Sequence, residues 1–274
     1  MTARAGATAG LDWFGPALLP NYRIVSYYGN PLAPNMGVLG QYAPAVAMAR
    51  LQAQAAAYAA ADPARPVIPA IDLVADVAQA SPGPQGLYRL RMSAQLIDSE
   101  LAIARQNRAL LILDIQVGRS TVERELPYFL PWLSQPDVML ALDPEFDMPP
   151  GDVPGQQIGT MSAADIDWAI NDISSLVQRD HLPPKIVIVH QFLPSMVTNW
   201  QAIHGAPGVQ FLMDTDGYGG QGIKLANYRS FITDQPIPPV SYGGIKLFYK
   251  YDVNLMTPAQ IVALQPPPSL VIYQ

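Results

Sequence analysis

The chain has 274 residues, with 16 Lys+Arg against 22 Asp+Glu, for a net charge of −6. Half of the residues are hydrophobic and 14% are charged, which fits a globular fold with a sizeable core and excludes a disordered chain. The acidic balance disfavours a nucleic-acid surface, no apolar run reaches the roughly 18 residues that span a bilayer, and the lack of cysteine removes disulfides, thiol nucleophiles and zinc fingers.

Residues 1–20 read as an N-terminal extension, and the stretch Met1–Gly10 lacks the apolar centre of a signal peptide. The first apolar, β-branched run is Tyr22–Tyr28. An alanine-rich helix over Tyr42–Ala61 follows, stopped by Asp62-Pro63. The second run, Val67–Val74, leads into a Pro/Gly-rich loop, Ala75–Arg91, and then a helix over Ser93–Arg108 with Ser93 as N-cap. The third run, Ala109–Gln116, precedes a helix over Ser120–Leu133, where Ser120 and Glu123 have capping-box spacing. After the fourth run, Val138–Leu142, comes a helix over Ser162–Arg179 with Ile166, Ile170, Ile173 and Val177 on one face. The fifth run is Lys185–Gln191, the sixth Val209–Asp214, the seventh Gly244–Tyr249 and the eighth Leu270–Tyr273. Weaker helical patterns link these last four, over Leu193–Ile203, Lys224–Ile232 and Thr257–Leu264, the last opening Thr-Pro.

Near-continuous apolar runs are how strands buried on both faces of a parallel sheet read. Strand and helix alternate seven times before a final strand, which predicts an α/β fold: a (β/α)8 TIM barrel without its eighth helix, ending on strand 8. Residues 1–274 then form one barrel domain. An open doubly wound sheet is the alternative.

Barrel sites gather at the C-terminal ends of the strands. Those ends carry Tyr27 and Tyr28, Asp72, Asp114 and Gln116, Asp143 and Glu145, His190 and Gln191, Asp214 and Asp216, Lys246, Tyr249 and Lys250, and Tyr273. Polar groups buried at a barrel mouth must be paired or must face a ligand. Asp143-Pro144-Glu145 is the sharpest motif. Residues at i and i+2 on a strand share a face, and two neighbouring carboxyls push one pKa up. A protonated Glu145 would then be a general acid for a glycosidic oxygen, tuned by Asp143, with Asp114 or Asp214 as base or nucleophile. The competing reading has Asp143 capping a loop and Glu145 solvated at its rim. Asp214-Thr215-Asp216 has the same spacing, but Asp216-Gly217 is a turn dipeptide, so Asp214 is expected inward and Asp216 at the loop.

Asp72, Gln116, His190, Gln191 and Lys246 are candidate substrate contacts, and Tyr27, Tyr28, Tyr218, Tyr249 and Tyr273 are candidate sugar-stacking rings. His190 reads equally as a hydrogen-bonded layer residue. Lys246 reads as a Schiff-base lysine or as the ion-pair partner of the inward aspartates, and Lys250 as a contact for a hydroxyl-rich or anionic ligand. The three histidines are not spaced as zinc ligands, so no metal or cofactor is expected. The alternative is a Mg²⁺ or Ca²⁺ site built from Asp72, Asp114, Asp143 and Asp214. There is no G-x-S-x-G elbow, no P-loop spacing and no G-x-G-x-x-G after the first strand.

With Asp143 and Glu145 at the end of strand 4, the chain resembles glycoside-hydrolase barrels of the chitinase-like superfamily, whose D-x-E motif stands at that place. The resemblance implies that Glu145 is the acid and that Asp143 supports it. Val138 and Ala141 stand where that superfamily carries further acids. The segments DIQVGRST, LALDPEF, VIVHQF, KLFYK and VIYQ also resemble uncharacterised bacterial envelope and secreted proteins, which implies a secreted or envelope location rather than a cytoplasmic one. The expectation is a glycoside hydrolase acting on a polysaccharide or cell-wall glycan. The alternatives are a non-catalytic carbohydrate-binding barrel and a metal-assisted hydrolase using the aspartates.

Overall fold

A computed structural model of the chain describes residues 17–83, 85–234 and 241–274. Eight parallel strands form its centre: β1 Arg23–Gly29, β2 Val67–Ala78, β3 Leu110–Ile115, β4 Val138–Leu142, β5 Lys185–Gln191, β6 Val209–Thr215, β7 Ser241–Leu247 and β8 Leu270–Tyr273. Each pairs with the next in chain order. β1 also pairs with β8, from Ile24↔Leu270 to Tyr27↔Tyr273, and that ladder closes the barrel and excludes the open sheet.

Outside the barrel lie α1 Pro44–Ala61, α2 Ala94–Gln106, α3 Val122–Leu133, α4 Ala163–Asp180, α5 Gln221–Tyr228 and α6 Pro258–Val262. Their starts follow cap chemistry. Ser93 accepts from Leu96 N, and Ser162 with Asp165 and Thr257 with Gln260 make reciprocal capping boxes. α3 shows what holds a helix to the sheet. Val122, Leu126, Phe129 and Leu133 form one buried stripe at helical spacing. Burying each contributes roughly 1.5–3 kcal/mol. Among the described residues no helix is long and apolar enough to cross a membrane.

Three local expectations are corrected. The helix expected over Leu193–Ile203 is not formed. Pro194 lacks a donor and Asn199 takes a left-handed φ of 53°, so only two 3₁₀ turns appear, Pro194–Met196 and Trp200–Ala202. The Ser120–Glu123 box is absent because Thr121 is the N-cap of α3, while the Ser120 hydroxyl donates to Glu125. β2 runs on to Ala78, and Arg89–Arg91 folds back antiparallel onto Asp76–Ala78.

Of the N-terminal extension, residues 1–16 and any role expected of them lie outside the described residues. Leu18 and Leu19 are buried against the bottom of the barrel. Gln210 fixes them there, accepting from Leu19 N at 3.1 Å and donating to Leu19 O at 2.7 Å.

Register sorts the interior. Residues paired across parallel strands share a face, so the ladders place Ile24, Ile68 and Leu110 inside the lower half. The same parity places Asp72, Asp114, His190, Asp214 and Lys246 inside the upper half. The interior thus turns from apolar to charged towards the C-terminal ends of the strands. A register irregularity between Val74 and Asp76 turns Asp76 outward instead, where Glu125 of α3 and Arg89 face it.

Candidate active site

A cavity of about 610 Å³ opens at the C-terminal mouth of the barrel. That volume suits a small ligand or one to two sugar rings. Its polar lining includes Gln116, Asp143, Glu145, Asp216 and Lys246. Phe146, Phe192, Tyr218 and Phe248 supply aromatic surface.

Asp143 sits at the end of β4, and the next residue changes the geometry expected of the motif. Pro144 cannot continue the ladder and opens the 3₁₀ turn Pro144–Phe146. Glu145 therefore reaches the cavity from a turn rather than by strand alternation. Asp143 Oδ2 accepts from Gln116 Nε2 at 3.1 Å, and the same amide nitrogen reaches Tyr28 Oη at 3.2 Å. Gln116 is oriented in turn by Ala78 N, which donates to its Oε1 at 3.0 Å. Burial, then the charges of Asp143 and Asp216, push the Glu145 carboxyl up to about 8. At neutral pH Glu145 is an acid with a proton to give.

Lys246 closes the other side. Its Nζ lies 3.2 Å from Asp216 Oδ2 and 3.6 Å from the centroid of the Tyr28 ring. Burial alone would lower the Lys246 pKa, but Asp216, Asp143 and Asp114 outweigh it and raise it. An ammonium held so firmly is not a free amine, so the ion-pair reading of Lys246 displaces the Schiff-base one.

Below the cavity floor lies a second polar layer with no access to it. His190 Nδ1 is 3.0 Å from Asp214 Oδ2, and Nε2 is 3.6 Å from Asp114 Oδ2. Neither carboxyl oxygen of Asp72 or Asp114 has a protein hydrogen-bond partner. Burial pushes the Asp114 carboxyl up to about 7 against the pull of His190, and burial with the charge of Asp114 also raises Asp72. Among the described residues no three His, Asp or Glu side chains are arranged to hold a metal ion.

The structure brings Tyr28, Gln116, Asp143, Glu145, Asp216, Tyr218 and Lys246 to the cavity and leaves the other expected residues outside its lining. Asp72, Asp114, His190 and Asp214 form the layer beneath. Tyr27 and Tyr273 have the outward strand parity and pack behind the barrel, where Tyr273 Oη meets Tyr58 Oη of α1 at 2.8 Å. Gln191 also faces outward, donating to Leu193 O at 3.1 Å. Tyr249 lines a neighbouring cavity. Asp216 corrects the turn reading: it keeps the strand parity of Asp214 and faces the cavity. Alternation from His190 through Asp214 would have located it. Phe146, Phe192 and Phe248 carry no local motif, and only the closure of the ring brings them together.

No protein-family model matches this chain, and no curated protein matches it.

Proposed function

We propose that the barrel mouth is the active site of a glycoside hydrolase. One arrangement carries the reading: Glu145, a carboxyl that burial and its neighbours push up to about 8, shares a ligand-sized cavity with Asp216, which is held 3.2 Å from Lys246 Nζ. Glycoside hydrolysis needs those two roles, a proton donor for the leaving oxygen and a negative group facing the oxocarbenium-like centre. Glu145 gives its proton to the glycosidic oxygen as the C–O bond breaks, and water supplies the hydroxyl to the anomeric carbon while Asp216 takes its remaining proton, which returns through solvent to Glu145. Asp216 takes the place expected of Asp114 or Asp214, which lie under the floor and cannot touch a sugar. Asp143 raises the Glu145 pKa by its charge and is oriented by Gln116. Tyr218 and Phe248 offer faces to the C–H surface of a ring.

The test is a panel of polysaccharides and cell-wall glycans, assayed for new reducing ends with wild type and Glu145→Gln side by side. Turnover by the wild type that the variant loses supports the reading. Retention on a glycan without turnover by the wild type would replace it with a binding barrel.

A further inference from the structure

A second cavity, of about 360 Å³, lies beside the first and shares Met36 and Gln274 with it. One wall is Tyr249, Lys250 and Tyr251, just after β7, and Gln41 stands among the residues preceding α1. This wall is braced. The Tyr249 ring stacks on Tyr273 with centroids 5.1 Å apart and planes at 24°, and Gln274 Nε2 donates to Met36 O at 2.8 Å. Tyr251 is half exposed and presents its ring to solvent.

Lys250 is the one charged residue of this lining. Its ammonium rests 5.3 Å from the Tyr251 centroid. Asp252, two residues on, is committed elsewhere: it accepts from Gly219 N and Phe248 N and lies 3.3 Å from Lys224 Nζ. Among the described residues Lys250 forms no salt bridge. The two cavities therefore differ in sign. The first presents Asp143 and Asp216 against a single Lys246, and disfavours an anion. The second presents Lys250 and neither Asp nor Glu.

We propose that the second cavity is the subsite for an anionic, uronate-type sugar unit of the chain whose neutral unit occupies the first. The proposal rests on the reading of the first cavity as a glycan site. It names the substrate class as a mixed neutral–acidic polysaccharide and sets its register by charge: neutral unit at Glu145, acidic unit at Lys250. The two cavities lie side by side, with Met36 and Gln274 lining both.

The experiment is calorimetric binding in the Glu145→Gln background, which keeps the probes uncleaved. The probes are mixed neutral–uronate tetrasaccharides, each beside its carboxyl-reduced form. The acidic form is expected to bind roughly two- to fivefold tighter than its reduced partner, the range of one exposed ion pair. Added Lys250→Gln is expected to abolish that difference, and raised salt to shrink it. Equal affinity for the two forms, a difference that survives Lys250→Gln, or no binding by any acidic probe overturns the proposal. The reading of the first cavity fails by a different result, equal release of reducing ends by wild type and Glu145→Gln.

Discussion

His190 Nδ1 stands 3.0 Å from Asp214 Oδ2 in the closed centre of the barrel, with both side chains fully buried. The two are directly paired in the β5–β6 ladder, so strand parity alone aims them at each other. Burial by itself would strip the proton from the imidazole. The hydrogen bond to Asp214, with the charge of Asp114 behind it, reverses this and lifts the pKa to about 10. His190 is thus a fixed cation under the site, holding the floor on which Lys246 and Asp216 rest.

Asp214→Asn keeps the shape and removes the charge. The His190 pKa is expected to fall well below 10, and the fold to lose about 3–5 kcal/mol, the usual result of breaking a buried ion pair. Imidazole NMR titration and urea unfolding read the two effects. A His190 titration that does not move would show that Asp214 is not what holds the proton.

Stability should fall as pH rises from 5 to 7. Glu145 and Asp76 are pushed up to about 8, and Asp114 and Asp147 to about 7, in each case first by burial. The unfolded chain releases those protons near pH ~4, while the native state keeps them, so the native state binds more protons across this window. Their contribution is complete below about pH 4 and is lost as pH climbs through the native values. His190 acts in the same sense, from about pH 6.5 towards 10. Buried Lys185, lowered to about 7, acts oppositely above pH 7, because the unfolded lysine stays charged to about 10.4. The urea midpoint is therefore expected to be higher at pH 5 than at pH 7. A midpoint that rises over this interval would contradict the protonation states assigned to the four carboxyls.

Lys246→Met leaves Asp216 buried without its cation and is expected to cost about 3–5 kcal/mol. Lys246→Met with Asp216→Asn removes both charges. That double variant should be more stable than the sum of the two single losses, by a coupling of about 0.5–3 kcal/mol. Strict additivity in the unfolding free energies would mean that the 3.2 Å contact carries no net interaction.

Gly244 is the inward neighbour of Asp214 on β7, and a Cβ there would lie 2.8 Å from Asp214 Oδ1 and 3.0 Å from Leu212 Cδ2. Gly244→Ala forces the charged layer to shift and should destabilise by about 1–3 kcal/mol, read as a lower melting temperature. A variant as stable as wild type would show that the layer has slack.

The barrel was legible because the buried strands of a parallel sheet are short, apolar and punctuated. Val138–Leu142, Lys185–Gln191 and Leu270–Tyr273 lie where their residue pattern puts them. Cap chemistry located α2 and α6 for the same local reason, and the apolar spacing of Ile166, Ile170, Ile173 and Val177 located α4. Asp143 and Glu145 were found because strand ends line a barrel mouth. What failed was the second coordinate, the face each strand-end residue takes. Tyr27 and Tyr273 lie near the mouth but on the outward parity, and Asp114 and Asp214 have the inward parity one layer too deep. Depth depends on the stagger between strands, which no single strand encodes. The aromatic wall is farther from view still, because Phe146, Phe192 and Phe248 are brought together by ring closure.

The proton on Glu145 gives the last prediction its sign. A general acid must be protonated to act, so kcat/KM on a cleaved glycan should hold on the acid side and fall as pH rises through about 8, the value to which burial and Asp143 push this carboxyl. Glu145→Gln cannot donate and should lose about 10²–10⁴-fold in rate. Asp143→Asn removes the charge that helps to raise Glu145, so the alkaline limb should move to lower pH while Glu145 still supplies the proton. A pH–rate profile of the two variants beside wild type separates the roles. If the limb stays in place in Asp143→Asn, Asp143 does not tune the acid, and burial with the charge of Asp216 sets its pKa.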